Sequence, residues 1–272
     1  MKYIFLNLKR FDVPTSLGGV NRIAKAEEWG KHIIEAVQNP LKSYNDVQFV
    51  VFFPEAHILS AKSALVPHGN LFLGCQSVHF DNIEAGGNFG AFTSSRPAAA
   101  AAALGCTWTI IGHCEERIKL KALLSEAGCS DTSAVNRILR KKIKCATESG
   151  LRVLYCIGEN EAEQPIKEQV LKEQLDATQG FENLIVAYEP VWAIGPGKTP
   201  PDAKYIHEIA RYIKSIVKHP LVYGGGLKTD NAPMIAGIDD IDGGLIALTR
   251  FAGDIGFYPD EYMEIIQKYV KA

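Results

Sequence analysis

Eight short apolar runs, spread along the whole chain, constrain what this sequence can fold into more than any other feature. They fall at Lys2–Leu8, Val47–Phe53, Leu71–Cys75, Trp108–Gly112, Val153–Ile157, Leu184–Glu189, Leu221–Gly224 and Gly244–Leu248. Each is nearly continuous in apolar character rather than alternating, the pattern of strands buried on both faces as in a parallel sheet. Helical periods lie between them. Ile206, Ile209, Ile213, Ile216 and Val217 recur at about 3.6 residues, as do Val135, Ile138, Leu139 and Ile143, and Tyr262, Ile265, Ile266 and Tyr269. Pro97 introduces the alanines Ala98–Ala103, and Gly105 closes that helix. Strands alternating with helices, without a long Pro- or Ser-rich linker, predict an α/β fold: a (β/α)8 barrel forming a single domain over residues 1–272, in preference to a doubly wound open sheet. In such barrels the chemistry sits where the strands end.

Charge narrows the function. The 29 Lys and Arg residues against 31 Asp and Glu leave a net charge of −2, which argues against a nucleic-acid binder or a protein of anionic membrane surfaces. At 47% hydrophobic and 22% charged residues, the composition excludes disordered and fibrous classes. Cys75, Cys106, Cys114, Cys129, Cys145 and Cys156 form no CxxC pair. Neither a zinc ribbon nor a thioredoxin-type motif is expected, and a reduced, cytoplasmic protein is the simplest expectation. The opening MKYIFLNLKRF is broken by Asn7, Lys9 and Arg10. It is too short for a signal segment or a bilayer span and reads as the first strand.

Polar residues mark the ends of several runs. Asn7 and Lys9 follow the first, His113 follows the fourth, and Glu189 ends the sixth. A cation, an imidazole and a carboxylate converging on one rim suit proton transfer on an anionic substrate. Taken singly, each has a plainer reading: a histidine after a strand is commonly a hydrogen-bonded structural residue, and a glutamate before proline a turn carboxylate. Their shared position favours the site. The segment Trp192–Thr199 reads as a loop of small residues able to move, and Gly224-Gly225-Gly226 follows the seventh run. Glycine-rich turns there could bring backbone N–H groups to a phosphate, or could be ordinary strand–helix turns.

One longer motif is specific. AYEPVWAIGPGKT, residues 187–199, resembles the catalytic-glutamate and lid segment of the triosephosphate isomerase family. Asn7-Leu8-Lys9 resembles that family's Asn-Trp-Lys, Ile111-Gly112-His113-Cys114-Glu115 its Gly-His-Ser-Glu, and Cys156-Ile157-Gly158-Glu159 its Cys-Ile-Gly-Glu. Gly90-Ala91-Phe92-Thr93 is similar to its dimer-interface loop, and Tyr223-Gly224-Gly225 to its phosphate loop. The resemblance implies a TIM barrel and an aldose–ketose isomerisation through an enediolate, with no metal and no organic cofactor. It makes Glu189 the base, a neutral His113 near a helix N-terminus the polariser of the carbonyl, Lys9 the positive charge, Asn7 a donor and Glu115 a neighbouring carboxylate. It makes Gly195, Gly225, Gly226, Ala247 and Leu248 the positions around the phosphate, and the protein a homodimer.

This chain departs from the family's pattern at one end of that site. The family's Tyr-Gly-Gly-Ser reads Tyr-Gly-Gly-Gly here, so Gly226 lacks the hydroxyl that holds the closed lid. Pro200 stands where the family offers a backbone N–H to the Tyr223 hydroxyl, and proline has none. Pro196 replaces a threonine inside the lid and restricts Gly195. Ala247-Leu248 replaces a Gly-Gly pair, with Arg250 two residues on as a candidate compensating charge or a solvated rim residue. At the interface, Ser95, Arg96 and Glu116 suggest that the charges of an intersubunit ion pair have changed places. The expected activity interconverts dihydroxyacetone phosphate and glyceraldehyde 3-phosphate in central carbon metabolism. Isomerisation of another phosphorylated ketose, such as a tetrulose phosphate, is the alternative, ahead of a non-catalytic phosphate-binding barrel.

Overall fold

Valine, isoleucine, leucine and the aromatics, which fit a pleated surface packed on both sides, build eight strands: β1 (Lys2–Asn7), β2 (Val47–Phe53), β3 (Leu71–Gln76), β4 (Trp108–Ile111), β5 (Arg152–Ile157), β6 (Leu184–Tyr188), β7 (Leu221–Tyr223) and β8 (Gly243–Ile246). The computed structural model describes residues 1–271 other than Phe89 and Pro196; the expected stiffening of the lid by Pro196 therefore lies outside the described residues. Every neighbouring pair is parallel, and β8 pairs back onto β1, with Tyr3 opposite Gly243 and Leu6 opposite Ile246, so the sheet closes into a barrel in chain order. The expected (β/α)8 architecture is the one observed.

The helices are α1 (Trp29–Leu41), α2 (Ile58–Ala64), α3 (Ala98–Ala103), α4 (Cys114–Glu126), α5 (Ala134–Glu148), α6 (Lys167–Leu175), α7 (Ala203–Ile216), α8 (Ala232–Ala236) and α9 (Pro259–Lys271). Strand residues alternate between two cores. Phe5, Phe52, Trp108, Leu154, Ala187 and Leu245 belong to a cluster filling the barrel, in which Phe5 meets Trp108 edge-on with centroids 5.4 Å apart. Their neighbours Ile4, Leu6, Val51, Val153 and Val186 pack outward against Ile33 and Val37 of α1, Ile209 and Ile213 of α7 and Ile265 and Ile266 of α9. No helix among the described residues is long and apolar enough to cross a membrane.

Five strands stop earlier than their apolar runs, and the stops of three of them, β4, β6 and β8, place chemistry. β6 ends at Tyr188, which leaves Glu189 as the first residue beyond it. β4 ends at Ile111, before Gly112 and His113. β8 was expected to reach Leu248 but ends at Ile246, because its last ladder partner is Leu6 and β1 itself ends one residue later. Ala247 and Leu248 therefore lie in the rim and not in the wall. α4 has no apolar stripe: only Cys114 of it is buried, while Ile118 and Leu123 are 60% and 68% exposed.

Candidate active site

At the C-terminal mouth of the barrel lies a cavity of about 500 Å³. Asn7, Lys9, His113 and Glu189 line it on one side; Gly195 of the lid segment, Gly224, Gly225 and Gly226 after β7, and Ala247 and Leu248 after β8 line the other. Sequence positions up to 241 apart are thereby brought around one volume. Glu115 is the one expected site residue that does not line it.

Glu189 is held by its backbone before its side chain does anything. Its N–H donates to the Ile157 carbonyl at 2.7 Å, and a Cβ at Gly158 would collide with the Glu189 carbonyl, so only glycine fits there. The carboxylate accepts the Cys114 N–H at 2.9 Å through Oε2, and its Oε1 lies 3.2 Å from His113 Nε2. Burial of this side chain, 2% exposed, raises its pKa, and the neighbouring His113 ring and the Cys114 N–H oppose that rise only in part. His113 caps α4: its Nδ1 accepts the Glu115 N–H at 3.3 Å. A ring nitrogen that accepts a helix N–H is unprotonated, which leaves the proton on Nε2, facing Glu189 and the cavity.

Lys9 adopts a left-handed backbone, φ +44°, unusual for a residue with a side chain. Asn7 Oδ1 accepts its N–H at 3.0 Å, and the Gln76 amide donates to the Lys9 carbonyl at 2.7 Å, so the strained residue is held from both sides. Its Nζ lies 2.8 Å from Glu115 Oε1. Burial pushes the Glu115 carboxyl up, but the hydrogen bond and charge of Lys9 outweigh it and the group sits below its ordinary value. Glu115 thus acts on Lys9 and does not itself line the cavity. Gln76, which closes β3, escaped sequence reasoning because a polar residue ending a strand is an ordinary stop signal.

The lid segment rises from a buried carboxylate. Glu159 Oε1 accepts from Trp192 Nε1 at 2.8 Å, Tyr188 at 2.9 Å, Gln164 at 2.9 Å and Tyr205 at 3.3 Å. Burial raises its pKa in spite of these donors. Trp192 lies in the short turn Val191–Ala193 that carries the segment to Gly195. On the far side, a Cβ at Gly225 would run into the Tyr223 hydroxyl. That hydroxyl is pushed up to about 12 by burial.

Two charge expectations change. Arg250 is spent on α9: its Nε donates to Glu261 at 2.8 Å and its guanidinium lies 3.8 Å over the Tyr258 ring. It does not line the cavity, so it is not the compensating charge. Glu116 accepts from the Gly112 N–H and from Lys142 Nζ, each at 2.6 Å, and from the Ser77 hydroxyl. Arg96 donates to the Gln76 and Ser77 carbonyls and lies 3.3 Å from Glu55. Glu116 is satisfied inside its own chain, and Arg96 spends its Nη2 there on the bare carbonyls of the turn after β3, while its buried Nε has no partner among the described residues. Lys228, Phe11 and Phe251 also line the cavity; no periodicity or motif singled them out. His113, Cys114 and Glu189 bring ligand-type atoms within 4.8 Å of one another. Burial and the charge of Glu189 push the Cys114 thiol up to about 12.

Comparison with known proteins agrees with this geometry. A family model described as triosephosphate isomerase matches residues 21–267. A triosephosphate isomerase of Hahella chejuensis is 33% identical over 260 residues, covering 90% of this chain and 94% of the relative. One of Nitrosomonas europaea is 34% identical, over 79% and 84%. The crystal structure of triosephosphate isomerase from Bartonella henselae superposes with a TM-score of 0.72 over 99% of both chains at 23% identity, which bears on the fold alone. A family model spanning α1 into α9, and relatives a third identical along most of their length, leave one conclusion: this chain belongs to the triosephosphate isomerase family.

Proposed function

We propose that this chain isomerises a phosphorylated triose, interconverting dihydroxyacetone phosphate and glyceraldehyde 3-phosphate. The observation that carries the reading is the Glu189 carboxylate, buried with a raised pKa, 3.2 Å from the Nε2 of His113 at the mouth of the barrel. Glu189 removes a proton from the carbon next to the carbonyl and returns it to the neighbouring carbon. His113 Nε2–H donates to the carbonyl oxygen as it gains charge and passes the hydroxyl proton between the two oxygens, so that the old carbonyl ends as a hydroxyl and the old hydroxyl as the new carbonyl. Lys9, raised into the cavity by its left-handed backbone, and Asn7 stabilise the enediolate. Closure of the lid segment brings Gly195 over the substrate and excludes water. Gly225, Gly226, Ala247 and Leu248 border the phosphate. The steps call for no metal and no cofactor.

The protein works as a single barrel unit over residues 1–272, in the cytoplasm, as a homodimer, with neither nucleic acid nor membrane as a partner. Thr93 is exposed, and a polar cavity of about 360 Å³ bordered by Arg10, Gln76, Ser77 and Arg96 opens beside Lys9. A second subunit's loop would fill such a cavity under two-fold symmetry. The apolar wall of Phe11, Leu248 and Phe251 supports a second reading, a longer phosphorylated ketose. Assay of the purified protein against triose and tetrulose phosphates tests both. Faster turnover of the triose supports the first reading and faster turnover of the tetrulose the second. Phosphate binding with no turnover makes the barrel a binder.

A further inference from the structure

At the phosphate end of the cavity a hydroxyl after β7 is missing, the Gly-Gly pair after β8 reads Ala247-Leu248, which keeps its amides but adds side chains around them, and Arg250 is held on Glu261. A cation at that end would meet a dianion directly. Three lysines line it, and two already face carboxylates: Lys9 lies 2.8 Å from Glu115 and Lys198 lies 3.4 Å from Glu161. The third, Lys228, has as its close partner among the described residues only the Phe251 ring, 4.3 Å from its Nζ. A cation over a phenyl face keeps its N–H donors free for an anion.

The root of Lys228 is fixed. Asn231 Oδ1 accepts the Lys228 N–H at 2.8 Å, and its Nδ2 donates to the Gly226 carbonyl at 2.9 Å, so one side chain clamps the turn. From there the lysine stem runs back past Gly226: a Cβ at that position would be 3.7 Å from Lys228 Cε, in ordinary contact. The ammonium therefore reaches the neighbourhood of the missing hydroxyl, bordered by Gly225, Ala247 and Leu248.

Resting on the reading of the cavity as a phosphosugar site, we propose that Lys228 is the cation that receives the substrate's phosphate in this chain, in place of the lost hydroxyl donor. A point charge on a flexible stem accepts a phosphate in more positions than a fixed cradle of amides does. The apolar surroundings strengthen its pull, since fewer waters screen the pair.

The test compares wild type with Lys228→Met, Lys228→Arg and Arg250→Met. In Lys228→Met, kcat/KM for glyceraldehyde 3-phosphate falls about 10–100-fold, chiefly through KM, and the inhibition constant of inorganic phosphate rises by a similar factor. Proton exchange into unphosphorylated glyceraldehyde, followed by NMR in D2O, stays within about twofold of wild type, as a loss of charge at the phosphate requires. Lys228→Arg recovers most of the loss, and Arg250→Met changes neither quantity. Equal loss on the phosphorylated and unphosphorylated substrates, or no change in phosphate inhibition, overturns the proposal. If wild type turns over no phosphosugar, calorimetric titration with inorganic phosphate decides separately: binding lost in Lys228→Met upholds the role of Lys228 while the isomerase reading falls, and no binding in wild type removes both.

Discussion

Glu189 combines requirements that oppose each other. Burial that raises its pKa makes it a stronger base, and the same burial makes its charge costly to hold. Replacement by Gln or Asp is expected to lower kcat by about two to four orders of magnitude, because a neutral or shortened side chain cannot take the proton where it lies. Stability moves the other way in Glu189→Gln. The folded-state pKa lies above the ordinary 4.5, so between those values the native state holds more protons than the unfolded chain, and stability falls as pH rises through the window. The Gln variant, which retains an acceptor for the Cys114 N–H, should melt no lower than wild type at pH 7. The acid limb of kcat/KM should lie above the range of an ordinary carboxylate, since activity needs the ionised form. Thermal melts and a pH–rate profile check both; a limb at or below 4.5 would remove burial as the source of basicity. At this scale the sequence was largely legible: Asn7, Lys9, His113 and Glu189 all line the cavity. Glu115 was expected beside the site, but its pairing with Lys9 was not legible, because spacing along a helix does not say whether a carboxylate faces a substrate or a neighbouring lysine.

Among the elements, the segment after β6 depends most on what lies beneath it. Glu159 gathers four donors on one oxygen, so Glu159→Leu strands Tyr188 and Trp192 and leaves Tyr205 and Gln164 only each other. A cost of about 1–3 kcal/mol is expected in urea unfolding, together with a lower kcat as the lid loses its footing. Lid closure itself admits a cleaner substitution than restoring both lost groups. Gly226 sits at φ +95°, and a serine forced to that angle costs roughly 1–2 kcal/mol, the size of the hydrogen bond it regains. Pro200→Ala returns only a backbone N–H and should tighten an enediolate-type phosphate analogue by about threefold to tenfold. Unchanged binding would mean that the Tyr223 hydroxyl, tucked against Gly225, does not reach the lid. Element types were readable wherever an apolar period ran, as in α7 and α9. α4 has none, since most of it faces outward, and nothing in its periodicity marks it.

For the molecule as a whole, barrel closure and dimerisation are separate questions. The barrel carries its own buried cores, so a monomer would fold; the polar cavity beside Lys9 is what a partner would complete. Thr93→Arg is therefore expected to yield a folded monomer with activity reduced at least tenfold, while sedimentation of wild type shows a dimer. A fully active wild-type monomer would dispose of the dimer. The eight apolar runs and the helical periods between them were enough to specify a parallel barrel, because strands buried on both faces and connected by helices have few ways to close. The residues at strand ends were likewise written in the chain, since closure sends every C-terminal end to one mouth. What only the tertiary structure decided is how charges pair across that mouth. Arg250 went to Glu261, Glu116 to Lys142 and Glu115 to Lys9, leaving Lys228 with an aromatic ring. Side-chain pairing depends on distances between loops far apart in sequence, and no local pattern carries those distances.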